Sequence, residues 1–319
     1  MPLSAPRETE LSAAYALERD DRVPGRPEMT AFRQRLRLHQ SRWRDARGLP
    51  AGTQPIVPKE GKPSRPLGSR LPLEYAEETG ASFLTPTAVE VARVRVATKE
   101  PRQSFDRQRW WADLLWSPSM AVNLFGDLAA DLRSADRAVH AWWPDAPGVV
   151  SGVRFTHSPG WWDPEFLNSL RQFDALFELD LGDGTLGVIG VGVRYHEWAK
   201  PELPRPENVG RYLEVARRSR AFRRGAAESV KGRSGLAVIW LEHLLLLSML
   251  QHRSRRWGWG RYVVVHPSGN VDYAEATERY RTLLRDDSTF SSVTLEEFLG
   301  AGALPRKNVA SLRERYLPR

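Results

Sequence analysis

Apolar and polar residues alternate in two neighbouring stretches near the middle of the chain. The first covers residues 174–181 and the second residues 186–195, with Gly182-Asp183-Gly184 between them. Alternation with a period of two is typical of strands, and a short glycine-rich turn between two such runs predicts a β-hairpin. Residues 149–155 alternate in the same way, and residues 262–266 form a short apolar run. Four strands are therefore predicted.

Helical periodicity surrounds these strands. Apolar residues that recur every three to four positions predict amphipathic helices. The stretches concerned are residues 32–47, 73–78, 87–96, 107–115, 121–139, 207–222, 236–251, 273–285 and 295–299. The core order of helix, three strands, helix, strand and helix predicts an α/β fold with a mixed central sheet flanked by helices.

The two ends of the chain show little periodicity. We predict a flexible N-terminal segment over residues 1–28 and a C-terminal tail over residues 301–319. Residues 29–300 are predicted to form one domain with a helical N-terminal extension, which is within the size range of a single large domain.

The composition excludes several kinds of site and predicts the location of the protein. The chain has no cysteine, which excludes disulfides and thiolate-bound zinc. Residues 236–250 are the most apolar segment, but they include Glu242 and His243 and are shorter than the about 20 residues that a membrane span needs. We predict a buried core helix there, and a cytoplasmic protein without a membrane span or signal peptide.

Net charge points to a partner. Basic residues outnumber acidic residues by 47 to 39, giving a net charge of +8. Most of the basic residues are arginines, whose guanidinium groups suit phosphates, so nucleic acid is the expected partner. The candidate contact residues are Arg217, Arg218, Arg253, Arg255, Arg256, Trp257 and Arg261. A solvated helix face is the alternative interpretation for the first two.

Several short motifs follow one another in a fixed order. They are Ser158-Pro159-Gly160, Asp163-Pro164, Phe173-Asp174, Gly187-Val188-Ile189-Gly190-Val191 and Tyr195-His196-Glu197. In this order they resemble the PD-(D/E)XK restriction-endonuclease-like superfamily, and in particular a bacterial restriction-endonuclease-type family with the pattern SPG..DP, FD and GxIGxExKYHE. The resemblance covers roughly residues 30–300 and implies a restriction-endonuclease-like core.

The resemblance also implies a metal-dependent hydrolytic site. Asp174 matches its first catalytic acid, and Asp127 matches an acid on the first core helix that can reach the metal. Gly192 stands where family members carry a carboxylate, and Arg194 where they carry a lysine. Mg²⁺ needs oxygen ligands, and arginine does not release its proton, so the hydrolytic site is predicted to be degenerate.

Three hypotheses follow. The first is a nucleic-acid-binding protein, with DNA preferred over RNA, that has lost hydrolysis and acts with protein partners in a defence or mobile-element system. The second is an active Mg²⁺-dependent endonuclease that uses Asp127, Asp174 and a displaced group, for which Glu197 and Lys200 are candidates. The third is a protein-interaction module on a nuclease scaffold.

Overall fold

A mixed sheet of five strands forms the centre of the protein in residues 5–54, 64–103 and 105–318, which the computed structural model describes. The strands of the chain are β1 (Gly52–Thr53), β2 (Pro66–Leu67), β3 (Val149–His157), β4 (Phe173–Asp180), β5 (Leu186–Val193), β6 (Trp257–His266) and β7 (Phe290–Thr294). Strands β3 to β7 lie side by side in chain order. The pairs β3–β4 and β4–β5 are antiparallel, whereas β5–β6 and β6–β7 are parallel. This arrangement confirms the predicted mixed sheet.

Helices cover both faces of this sheet. The described helices are α1 (Glu8–Ala13), α2 (Pro27–Ala46), α3 (Leu73–Thr79), α4 (Pro86–Ala97), α5 (Arg107–Ala112), α6 (Ser117–Ala130), α7 (Leu132–Trp142), α8 (Val209–Ser219), α9 (Ala226–Val230), α10 (Ala237–Leu250), α11 (Val271–Thr282), α12 (Leu295–Gly300) and α13 (Arg306–Tyr316). Helices α6 and α7 pack against β3, while α10 packs against β6.

Strand alternation divides the core into two apolar layers. In β6, Val263 and Val265 belong to the layer that includes α6, whereas Tyr262 and Val264 belong to the layer that includes α10. One strand contributes to both layers because its successive side chains point to opposite faces of the sheet. Helix α10 is apolar around its circumference and is buried, as a core helix is expected to be.

Strands β5 and β6 are parallel, so both begin at one end of the sheet and finish at the other. We call the end that holds Asp174 and Val193 the site end, and the end that holds Leu186 and Trp257 the far end; Leu186 and Trp257 are paired across β5 and β6. Strand β5 has 8 residues, so the two ends are about 23 Å apart at the usual rise of a strand.

Some element boundaries differ from the predictions. Strand β6 begins at Trp257, five residues before the predicted start, and β7 was not predicted. The predicted helix over residues 121–139 is two helices, because the Asp131 side chain accepts hydrogen bonds from the backbone of Arg133 and Ser134 and caps α7. Among the described helices, none is long and apolar enough to cross a membrane.

The chain ends are more ordered than the periodicity predicted. Residues 306–316 form α13, which buries Leu312 and Tyr316, in place of the predicted tail. The N-terminal segment contains α1 and buries Leu11 and Asp21, in place of the predicted flexible segment. Residues 1–4 and 319 of these two predicted segments lie outside the described residues. A few buried side chains in a short stretch give too little periodicity to be recognised.

Candidate functional site

Asp174, Gly192 and Arg194 lie together at the site end of the sheet. The antiparallel register of β4 and β5 places the start of the first strand beside the end of the second. The Asp174 carboxylate accepts a hydrogen bond of 2.7 Å from the backbone N–H of Val193. The three positions that the sequence singles out therefore share one site.

Arg194 lies between two carboxylates. Its Nη1 donates to Asp174 at 3.0 Å and to the Val193 carbonyl at 2.7 Å, and its Nη2 donates to Glu242 of α10. Asp174 and Arg194 are each 7% exposed and Glu242 is 6% exposed. The Glu242 carboxylate also accepts a hydrogen bond from the hydroxyl of Tyr262. We call Asp174, Arg194, Glu242 and Tyr262 the Arg194 cluster.

Burial and neighbouring charges shift the protonation of this cluster. Burial by itself would lower the pKa of Arg194, but the Glu242 carboxylate, together with Tyr262, Tyr273 and Asp174, outweighs burial, and the pKa is raised above its usual range. Burial raises the pKa of Asp174 to about 7, against the opposing effect of the Arg194 guanidinium. The 3.0 Å contact with Arg194 therefore does not keep the pKa of Asp174 in its usual range, and Glu242 is the main counter-ion of Arg194.

Glu242 is the charged member of the cluster that the sequence patterns did not indicate. Residues 236–250 were identified as a core helix, and Glu242 was noted there only as a charge. A carboxylate buried in an otherwise apolar helix is costly unless it is paired. A carboxylate in an apolar helix therefore predicts a nearby cation, and Arg194 is that cation in the structure.

Gly192 provides the space that Glu242 and Tyr262 fill. A Cβ atom on Gly192 would lie 2.6 Å from the Tyr262 hydroxyl, 2.9 Å from Oε2 of Glu242 and 3.1 Å from Nη2 of Arg194. Distances of 2.6 and 2.9 Å are too short for a side-chain carbon. The lack of a side chain in the strand therefore allows the carboxylate of a helix to approach the same position.

The Arg194 cluster does not fit a Mg²⁺ ion while Arg194 is in place. Mg²⁺ prefers an octahedral shell of oxygens that usually includes several waters. Asp174 and Glu242 are both bound to the guanidinium, and the cluster is buried. Among the residues that the structure describes, no group of three or more His, Cys, Asp or Glu side chains is placed to hold a metal.

Asp127 does not join this cluster. Its Oδ1 accepts a hydrogen bond of 2.5 Å from the Thr85 hydroxyl, and its Oδ2 accepts one of 2.7 Å from the Asn308 amide. Asp127 is thus engaged with residues at the starts of α4 and α13, because α6 packs against α4 along this side. The structure gives its predicted pairing with Asp174 no support.

The two candidates for a displaced group lie outside the cluster as well. Glu197 is half-buried and accepts a 2.7 Å hydrogen bond from the Ser117 hydroxyl at the start of α6. Lys200 is exposed. The acid that shares Arg194 with Asp174 is Glu242 of α10, although the charge of Glu197 also raises the pKa of Asp174.

The N-terminal segment covers part of the site end. The fully buried Asp21 accepts a hydrogen bond of 2.7 Å from Arg37, and its Oδ1 lies 2.9 Å from Nε2 of His196, two residues after Arg194. Burial would raise the pKa of Asp21, but Arg37 and His196 outweigh burial and lower it below its usual range. The ionised carboxylate thus attaches the segment before α2 to the end of β5.

The predicted nucleic-acid contacts lie elsewhere. Six of them lie at the far end of the sheet. Arg217 and Arg218 are at the end of α8. The loop before β6 contains Arg253, Arg255 and Arg256, and Trp257 is the first residue of β6. Arg261 lies within β6 and binds both carboxylate oxygens of Asp145, with the longer contact at 2.8 Å. Trp257 is half-buried and packs against Phe166 and His252.

Comparison with known proteins agrees with this fold. The model of a family described as the PD-(D/E)XK nuclease superfamily matches residues 23–318, which is most of the chain and more than the predicted domain over residues 29–300. No curated protein and no solved structure matches the chain significantly. The chain belongs to the PD-(D/E)XK nuclease superfamily.

Proposed function

We propose that this protein binds nucleic acid, DNA rather than RNA, on a nuclease fold and does not hydrolyse it. The observation that carries the proposal is the position of Arg194 between Asp174 and Glu242. The cation that these carboxylates bind belongs to the chain itself. The site is therefore interpreted as an internal ion cluster that stabilises the end of β5.

A guanidinium does not replace the metal of a nuclease. The metal polarises the phosphate and lowers the pKa of the attacking water. Arg194 does neither, because its guanidinium is buried against Asp174 and Glu242 and does not release its proton to activate a water. Arg194 must first leave its buried ion pairs with Asp174 and Glu242 before a metal can enter, and until a metal binds, this would leave a buried carboxylate uncompensated, at a cost of about 3–5 kcal/mol.

Charge supports the binding part of the proposal. The chain carries a net charge of +8, and several of its arginines are exposed. Contacts between such side chains and phosphates release counter-ions, which makes the affinity for nucleic acid fall steeply with salt. A steep dependence on salt is therefore expected for this protein.

A cleavage assay tests the loss of hydrolysis. The protein is incubated with supercoiled plasmid and with single-stranded DNA in the presence of Mg²⁺ or Mn²⁺. We expect no cleavage above that of an Asp174→Ala preparation purified in parallel. Cleavage by the wild-type protein that is absent from this variant would overturn the proposal.

The second candidate is an active Mg²⁺-dependent endonuclease, and one observation favours it. Glu242 places a carboxylate where a side chain of Gly192 would reach, so Asp174 and Glu242 supply the two acids if Arg194 moves out. On this hypothesis Asp174→Asn and Glu242→Gln both abolish cleavage, while the folded Asp127→Asn variant keeps it. Loss of cleavage in Asp127→Asn would restore the original assignment of Asp127.

A further inference from the structure

Three segments contribute exposed arginines at the far end of the sheet: the end of α8, the loop that follows α8, and the loop between α10 and β6. The end of α8 contacts the end of α10, where Gln251 donates a 3.0 Å hydrogen bond to the Val215 carbonyl. The loop after α8 is joined to the segment before β7 by the bond from Arg285 N–H to the Ala221 carbonyl, at 2.8 Å. We call the exposed arginines of these segments the far-end surface; they are Arg217, Arg218, Arg220, Arg223, Arg224, Arg253, Arg255 and Arg256.

The positive charge of this surface is only partly compensated. Arg218 pairs with Glu214, Arg253 with Glu165 and Arg256 with Glu178. In contrast, among residues 5–54, 64–103 and 105–318, no carboxylate forms an ion pair with the remaining five arginines, which include Arg217 and Arg255. Exposed cations without a protein counter-ion are available to an anionic partner.

The far-end surface is remote from the Arg194 cluster. The two lie at opposite ends of β5, which are about 23 Å apart. The N-terminal segment also covers part of the site end, where the Asp21 carboxylate lies 2.9 Å from Nε2 of His196. A nucleic acid backbone that lies on the far-end surface is therefore not in contact with the former catalytic position.

The aromatic residues of this region are engaged in packing. Trp257 lies 6.0 Å from the ring of Phe166 and 5.7 Å from that of His252, and it is half-buried. Proteins that bind single strands use exposed aromatic rings on which successive bases stack. The far-end surface offers guanidinium groups without such a ring, which favours the regularly spaced phosphates of a duplex.

We propose that the far-end surface binds the phosphate backbone of double-stranded nucleic acid, independently of its sequence. The proposal rests on the proposed function, and it adds the location of the interface and the form of the partner. Binding on this nuclease fold is thereby assigned to the end of the sheet opposite the site end.

A charge-matched pair of variants tests the location. Arg217→Gln with Arg255→Gln removes two charges from the far-end surface. The control, Arg19→Gln with Arg22→Gln, removes two exposed charges beside Asp21 at the site end. Binding of a labelled duplex and of the same single strand, each about 20 nucleotides long, is measured over a range of salt concentrations for variants whose thermal unfolding matches that of the wild type.

We expect the far-end variant to bind the duplex at least about tenfold more weakly than the wild type in 0.1 M salt, with a salt slope smaller by about 1.8. The control should retain the wild-type affinity and slope. An equal loss in both variants, or a loss in the control alone, would overturn the location while leaving the proposed function intact. Tighter binding of the single strand would overturn the duplex partner. No binding by the wild type at low salt would instead refute the proposed function itself.

Discussion

The two ends of the central sheet use arginine in opposite ways. At the site end, Arg194 is buried, contacts Asp174 and Glu242 and has a raised pKa. At the far end, Arg217 and Arg255 are exposed and form no ion pair with the residues that the structure describes. The same guanidinium group is thus part of the interior at one end and part of the surface at the other.

This difference separates stability from binding. A buried charge requires its partners, because an uncompensated ion in a low-dielectric environment is expensive. An exposed charge contributes little to folding and stays available to a ligand. Substitutions at the site end should therefore change the free energy of unfolding, and substitutions at the far end should change affinity.

The largest expected effect is at Glu242. Glu242→Gln removes the main counter-ion of Arg194 and should lower the free energy of unfolding by about 3–5 kcal/mol, measured by urea denaturation at neutral pH. The control is Glu214→Gln, which removes an exposed partner of Arg218 and should cost less than about 1 kcal/mol. Similar losses in both variants would remove the distinction between the two ends.

The next effect is a dependence on pH. Because the pKa of Asp174 is raised from 3.8 to about 7, the folded state binds this proton more tightly than the unfolded state. The resulting stability is fully present below about pH 4 and is lost as the pH rises towards 7. Between pH 4 and pH 8, the free energy of unfolding of the wild type should therefore fall by about 2–4 kcal/mol relative to that of Asp174→Asn, whose side chain does not titrate. If the free energies of unfolding of the two proteins changed equally with pH over this range, the raised pKa of Asp174 would be contradicted.

A smaller effect is expected at Gly192. A methyl group there would come within 2.6 Å of the Tyr262 hydroxyl, so Gly192→Ala should destabilise the fold by about 1–3 kcal/mol. In a Tyr262→Phe background the substitution should cost less, because the closest atom is gone. A double-mutant cycle measures this coupling. Additive effects would show that the two residues are not in contact.

The smallest expected effect is that of the far-end substitutions on the stability of the fold. Arg217→Gln with Arg255→Gln should change the free energy of unfolding by less than about 0.5 kcal/mol per site, because neither side chain has an ion-pair partner in the described part of the chain. Thermal unfolding of the variant and the wild type measures this difference. A large loss would mean that the far-end arginines stabilise the fold.

Local patterns in the sequence predicted most of the sheet. Alternation and the Gly182-Asp183-Gly184 turn predicted the β4–β5 hairpin, and the hairpin brings Asp174 beside Gly192. The start of β6 was missed because its residues Trp257 to Arg261 alternate aromatic and basic residues with glycine. Strand β7, with the sequence FSSVT, has too few apolar residues to show a period.

The candidate site was predicted only as far as one hairpin reaches. Its third charged member, Glu242, is 48 positions beyond Arg194 in the chain, and a helix brings it back. Periodicity identifies which face of a helix is buried, but it does not identify the residue across the interface. The contacts of Asp127 show the same limit, since its carboxylate is bound by Thr85 before α4 and by Asn308 of α13, which are distant in the sequence.

The crowded position of Gly192 has a consequence for the evolution of this chain. Any larger residue at position 192 meets the Tyr262 hydroxyl and the Glu242 carboxylate, which lie on two other elements. An acid at this position would need the Tyr262 hydroxyl and the Glu242 carboxylate to shift, or one of these two residues to be replaced. A change of Gly192 to an acid is thus expected to be better tolerated after a substitution at Tyr262 or Glu242 than before it.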